Sequence, residues 1–131
     1  NRLTAHLRAA RSLGAEVAFP GALPPDATAA IVARAALAVL VPRVDADGTG
    51  AEGLGLALIE AAARGVPTVG CATGGVPEAV GPGLIVDDPD DPAASVAAIA
   101  ASGIEGRGAA QWAWCAATHG TGRAVDALLA G

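Results

Sequence analysis

Short apolar runs alternate along the chain with longer stretches whose apolar positions recur at helical spacing. Val17–Phe19, Leu37–Val41, Thr68–Gly70 and Leu84–Val86 read as strands, with helices at Ala27–Ala35, Leu54–Arg64 and Pro92–Ala101 between and after them. This alternation predicts parallel βαβ units, with helices covering one sheet. Leu37–Val41 is continuously apolar, as a strand buried on both faces would be. The chain opens in a helical pattern at Leu3, Leu7 and Ala10, and the tail predicts two more helices, at Gly108–Ala117 and Gly122–Ala130. Breaks fall where the pattern needs them. Gly21 and Pro24-Pro25 follow the first strand, with Asp26 placed to cap the next helix, and Gly65 then Pro67 end the middle one. No internal repeat, low-complexity stretch or linker interrupts, so residues 1–131 predict a single α/β domain, Rossmann-like, with a mostly parallel sheet flanked by helices.

Composition sharpens this in three ways. The apolar fraction is 53% with only 2% aromatic residues, so Ala, Val, Leu and Ile build the core and helices are expected to lie close on the sheet. There is no Met, and the first residues are already helical in pattern, which predicts a piece of a longer protein. The net charge is −5, and the eight basic residues are all scattered Arg. Nucleic acid requires a basic stripe to neutralise phosphates, and an anionic membrane surface has the same requirement, so neither is a predicted partner. No run reaches transmembrane length, no signal peptide opens the chain, and Cys71 and Cys115 read as reduced thiols. A cytoplasmic location follows as the expectation.

The chemistry concentrates between Pro42 and Gly65. There a strand ends, a Gly-rich loop follows, and a helix begins near Gly53. In a parallel sheet this junction lies at the carboxyl ends of the strands, where ligands bind. A helix start exposes unpaired N–H groups, and Gly53 and Gly55 leave room for an approaching anion. Glu60 stands in a helix that is apolar on nearly every side, which predicts a buried carboxylate in need of partners. Two readings stay open: a pairing with Arg64 at i+4, or a grip on a vicinal diol by two acceptor oxygens. Glu52 precedes Glu60 by eight residues, roughly 12 Å along a helix axis at about 1.5 Å per residue. That exceeds the separation of paired glycosidase carboxylates, so an elongated ligand touched at both ends is the better account.

Other signals carry less. Gly48-Thr49-Gly50-Ala51-Glu52-Gly53 spells a dinucleotide fingerprint, but it starts late after the strand and is ringed by Asp45, Asp47 and Glu52. Asp87, Asp88, Asp90 and Asp91 fit no calcium loop and read as a polar turn, one of them capping the next helix. His6 and His119 are lone, and Trp112 and Trp114 point to different helix faces and pack the tail.

These pieces together resemble a family. Glu52-Gly53-Leu54-Gly55 … Glu60-Ala61, then Gly65-Val66-Pro67-Thr68-Val69 and Gly74-Gly75-Val76-Pro77-Glu78, resemble the signature of family 4 (group 1) glycosyltransferases. Val17-Ala18-Phe19-Pro20-Gly21 upstream, and Gly83-Leu84-Ile85-Val86 with Asp90-Asp91-Pro92 downstream, extend the resemblance to roughly residues 15 to 100. It implies the C-terminal, donor-binding half of a GT-B fold, truncated at its N-terminus and missing the acceptor-binding N-terminal domain of the same parent chain. The implied activity is that of a hexosyltransferase: retaining transfer of a sugar from a nucleoside diphosphate sugar to an acceptor hydroxyl. It implies no metal and no cofactor, no catalytic residue within this stretch, and an isolated fragment that is inactive.

Carried over, Glu60 would hold the ribose and Glu52 the donor sugar. Gly53, Leu54 and Gly55 would face sugar and diphosphate, and Leu23 would lie against the base. The loop from Arg43 to Ala51 is longer than the family's usual motif and resembles its mannosyltransferase-like branch, which has an Arg after the strand proline. Arg43 is therefore either a phosphate contact or a solvated loop residue. A non-catalytic nucleotide-binding module and a sugar-nucleotide epimerase are the alternatives. The resemblance also sets two strands absent from this chain between Val17–Phe19 and Leu37–Val41, which predicts that residues 1–35 pack poorly or pair differently.

Overall fold

Three short strands form one parallel sheet: β1 (Ala38–Leu40), β2 (Thr68–Cys71) and β3 (Leu84–Val86), in the order β1-β2-β3. The computed structural model describes residues 2–43, 46–48 and 53–120. Around the sheet lie α1 (Arg2–Ser12), α2 (Pro25–Ala33), α3 (Leu56–Ala62), α4 (Val76–Val80), α5 (Pro92–Ser102), a 3₁₀ turn at Ile104–Arg107, and α6 (Gly108–His119). The predicted helix at Gly122–Ala130 lies outside the described residues. The fold is the expected Rossmann-like α/β arrangement.

β2 is central and buried at all four positions. One face of the sheet carries Leu58, Val76, Ala79 and Val80, joined by Ala38 and Leu40 of β1. The other carries Val69, Cys71, Val86 and Ile104, joined by Leu37, Val41, Leu84 and Ile99. Alternate residues along β2 and its neighbours thus face opposite sides of the sheet, while Val39 and Ile85 on the outer strands are exposed. Small residues set the layer spacing. A Cβ on Gly70 would lie 2.5 Å from Val76 Cγ1 and 2.6 Å from Val80 Cγ2, so α4 rests directly on the backbone of β2.

Buried polar groups tie the layers together. The Val80 carbonyl, at the end of α4, accepts from Thr68 Oγ1 of β2 and from Gln111 Nε2 of α6, each at 2.9 Å. Both donor residues are fully buried. Arg107 donates to the carbonyls of Ser102 and Pro82, fastening the end of α5 to the turn before β3. Asp91 caps α5, its Oδ1 accepting from Ala94 N at 2.9 Å, as the acidic turn predicted.

Four expectations need correction. Val17–Phe19 is not a strand: residues 15–24 run irregularly, with Val17 42% and Phe19 49% exposed. Three apolar residues cannot hold a strand without a neighbouring ladder, and none lies beside them among the described residues. β1 is not buried on both faces, because Val39 is 57% exposed at the sheet edge. Asp26 is not the cap of α2. Pro25 takes the first helical position, Pro24 is the cap residue, and Asp26 sits in the first turn, where its charge still favours the helix end. Finally, Val76–Val80, where the sequence pattern placed no helix, winds into α4. The expected looseness of the N-terminal stretch holds, since no described side chain before Gly55 is fully buried.

Candidate functional site

The loops that follow β1 and β2 meet at the carboxyl end of the sheet. Gly75, between β2 and α4, presses against the carbonyl of Gly53, and any side chain there would collide with it. This contact explains in steric terms why the Gly74-Gly75 turn must be glycine where it faces the Gly53 loop. Gly55 is buried and left-handed (φ 71°), and its carbonyl accepts from Leu58 N and Ile59 N to start α3. A Cβ on Gly55 would crowd Ala79 at 3.1 Å, so the start of α3 is seated on α4.

α3 buries Leu58, Ala61 and Ala62 against the sheet, and this choice of face decides where Glu60 goes. Glu60 lies about 200° around the helix from Leu58, at about 100° per residue, so it points outward and is exposed. The expected burial of Glu60 is therefore corrected. An alanine-rich helix looks apolar on every side, and only the neighbours reveal which side is covered. The pairing reading for Glu60 is corrected as well. Arg64 Nη1 donates to the Glu60 backbone carbonyl at 2.7 Å, not to its carboxylate, which among the described residues has no hydrogen-bonding partner.

Glu60 and Arg64 form one wall of a cleft of about 320 Å³. Leu23, Pro25, Thr28, Ala29 and Val32 form the other, from the turn before α2 and from α2 itself. The cleft thus joins two residues that the sequence singled out, Glu60 and Leu23, from segments 37 positions apart. Its chemistry is simple: two carboxylate oxygens that accept, a guanidinium that only donates, and an apolar wall. Such a surface suits a ligand carrying neighbouring hydroxyls and a flat, largely apolar ring.

The other candidates divide. Gly53 and Leu54 are exposed beside the cleft's helix, and Gly55 is buried beneath them. Glu52 lies outside the described residues, as do Thr49, Gly50 and Ala51 of the fingerprint-like loop. Arg43 is not a lining residue of the cleft. It lies 3.6 Å from Asp90, with both side chains well exposed, a surface pair worth at most about 1 kcal/mol. No cluster of His, Cys, Asp and Glu suited to a metal ion occurs among the described residues.

Sequence reasoning overlooked the α2 side of the cleft. Thr28, Ala29 and Val32 fall one turn apart on that helix, but its weak amphipathicity gave no reason to prefer that face. Arg64 was considered only as a partner for Glu60, not as a cleft residue. The cysteines are free, as expected, and both are buried, which pushes the Cys115 thiol up. No helix among the described residues is long and apolar enough to cross a membrane.

Residues 3–102 match the family model described as Glycosyl transferases group 1, well over half of the chain. No curated protein and no solved structure matches it.

Proposed function

The chain belongs to the group 1 glycosyltransferases, and from that premise we propose that it is the domain that binds the nucleoside diphosphate sugar in a retaining hexosyltransferase. The observation that carries this reading is the unpartnered carboxylate of Glu60 in a cleft shared with Leu23. A carboxylate with two free acceptor oxygens matches the paired hydroxyls of a ribose, and Leu23 with Pro25 offers an apolar surface for the base. Gly53, Leu54 and Gly55 line the path from ribose to diphosphate, and Glu52 contacts the transferred sugar. Arg43 is a reserve phosphate contact once released from Asp90.

In the reaction, the bond from the anomeric carbon to the diphosphate oxygen breaks and a bond to the acceptor oxygen forms on the same face. The acceptor proton passes to the departing diphosphate. The chain's residues supply orientation, holding donor atoms where an acceptor bound by the partner domain of the parent protein can reach them. No metal or cofactor enters this scheme, the setting is cytoplasmic, and the domain alone binds without turning over.

Saturation-transfer NMR with UDP-, GDP- and ADP-glucose tests it. At least one donor should bind, and Glu60→Ala should weaken that donor by roughly ten-fold or more, the scale of a lost charged hydrogen bond. A folded chain that binds none of the three, or binds equally well without the carboxylate, would refute the reading.

A further inference from the structure

On the reading that Glu60 holds the ribose, we propose that Arg64 selects the base, favouring one that presents ring carbonyl oxygens (uracil or guanine) over adenine. The order of groups along α3 sets the register. Gly55 opens the helix, Glu60 follows about 7.5 Å further along its axis, at about 1.5 Å per residue, and Arg64 stands in the turn just past the helix end. Phosphate, ribose and base succeed one another in a nucleotide in that order. A nucleotide whose ribose sits at Glu60 therefore brings its base to the end of the cleft walled by Arg64 and the apolar residues of α2.

Arg64 is held in place at that end. Its Nη1 donates to the Glu60 carbonyl, one of the carbonyls left unpaired where the helix stops, and this bond anchors the guanidinium at the cleft wall. A guanidinium carries five N–H donors and no acceptor, and the bond to Glu60 uses one of them. A donor-only group rewards an acceptor edge. Guanine offers O6 and N7 and uracil offers carbonyl oxygens, whereas adenine sets an amino group beside N7 and meets donor with donor. Thr28 adds no donor at this end, because its hydroxyl donates back to the Pro24 carbonyl and its oxygen is left as an acceptor. Leu23, Pro25, Ala29 and Val32 contact a base face without reading its edge, which leaves Arg64 as the donor that reads an acceptor edge there.

The test is a titration of UDP-, GDP- and ADP-glucose into this chain and into Arg64→Met and Glu60→Ala, by ligand-observed NMR with circular dichroism as the folding check. The expected result is a uridine or guanosine donor bound at least roughly five-fold more tightly than the adenosine donor, the modest end of what paired hydrogen bonds to one base provide. The same titration tells uracil from guanine. Arg64→Met should bring the three donors to within about two-fold by weakening the uridine or guanosine donor more than ADP-glucose, with an unchanged circular dichroism spectrum as proof that the fold survives. A preference for the adenosine donor, or a preference untouched by Arg64→Met while Glu60→Ala still abolishes binding, would overturn the role of Arg64 and leave the donor site standing. Absence of binding by any donor would overturn both.

Discussion

Gly70 shows how much a single missing side chain can decide. Its absent Cβ is what lets Val76 and Val80 lie on the backbone of β2. Gly70→Ala would drive a methyl group to within 2.6 Å of two buried methyls that have nowhere to retreat. The substitution should destabilise the chain by about 1–3 kcal/mol, the usual cost of overpacking, although alanine normally suits a strand better than glycine. Urea denaturation measures this, and an unchanged midpoint would show that α4 can shift. Cys115 makes a second point. Burial raises its thiol above the ordinary value near 9.0, so the unfolded chain loses that proton first as pH rises. Above about pH 9 the unfolded state then binds fewer protons than the folded one, and stability falls with pH. Cys115→Ala should flatten that alkaline decline, as seen in melting temperatures from pH 7 to 10. At this scale the sequence marked Gly55 and Gly75 through their motifs without revealing that Ala79 and the Gly53 carbonyl are what crowd them, and it was misleading at Glu60. Nothing within Leu54–Arg64 distinguishes a covered alanine from a bare one.

Among the elements, α4 depends on bonds that come from elsewhere in the chain. It spans Val76–Val80, too short to be stable by itself, and its last carbonyl takes both Thr68 and Gln111 as donors. With either donor removed, the Val80 carbonyl keeps a partner. With both removed, it keeps only the bond from Gly83 N at 3.1 Å. Thr68→Val and Gln111→Met should therefore each cost about 1 kcal/mol or less, and the double variant should cost close to their sum, because the Gly83 N–H still satisfies the carbonyl. A double variant that loses clearly more than the sum in a double-mutant cycle would show that the Gly83 bond breaks with the other two. Gln111→Met also removes an amide oxygen that is buried without a partner, which keeps its single cost low. At α5 the cap is local and simpler, and Asp91→Ala should cost about 1 kcal/mol by the same assay. These elements mark the boundary of what pattern reveals. α5 was legible because Asp91, Pro92 and Gly103 are all local signals. α4 was not, since two of its five residues are Val, its second is Pro, and its stability comes from β2 and α6.

Across the whole molecule, order increases from the first residues towards β2 and α6. Every described side chain from residue 8 to residue 48 is at least partly exposed, while β2 is buried throughout. Ile31, Val32, Leu37, Val39, Leu40 and Ala57 line an apolar groove of about 250 Å³ where α2 overhangs the free side of β1, a space that close packing would not leave. The alternation of strands and helices and the parallel pairing were legible in the sequence, because they follow from residues 37–102 packing on one another. The behaviour of residues 15–24 was legible only through the family resemblance, since Val17–Phe19 has good strand character and simply lacks a strand to pair with. The donor cleft straddles this gradient, with Glu60 on the ordered α3 and Leu23 on the exposed stretch before α2. Amide exchange should record the gradient directly. Val69 and Cys71 of β2 should exchange only by global unfolding, β1 should be less protected, and Val17–Phe19 should exchange close to the rate of an unfolded chain. A donor that bridges Leu23 and Glu60 should then slow exchange in α2 more than in β2, because it stabilises the part that opens most easily. Equal slowing everywhere would mean that α2 already opens together with the sheet, and strong protection of Val17–Phe19 without ligand would mean that this segment has found a partner strand.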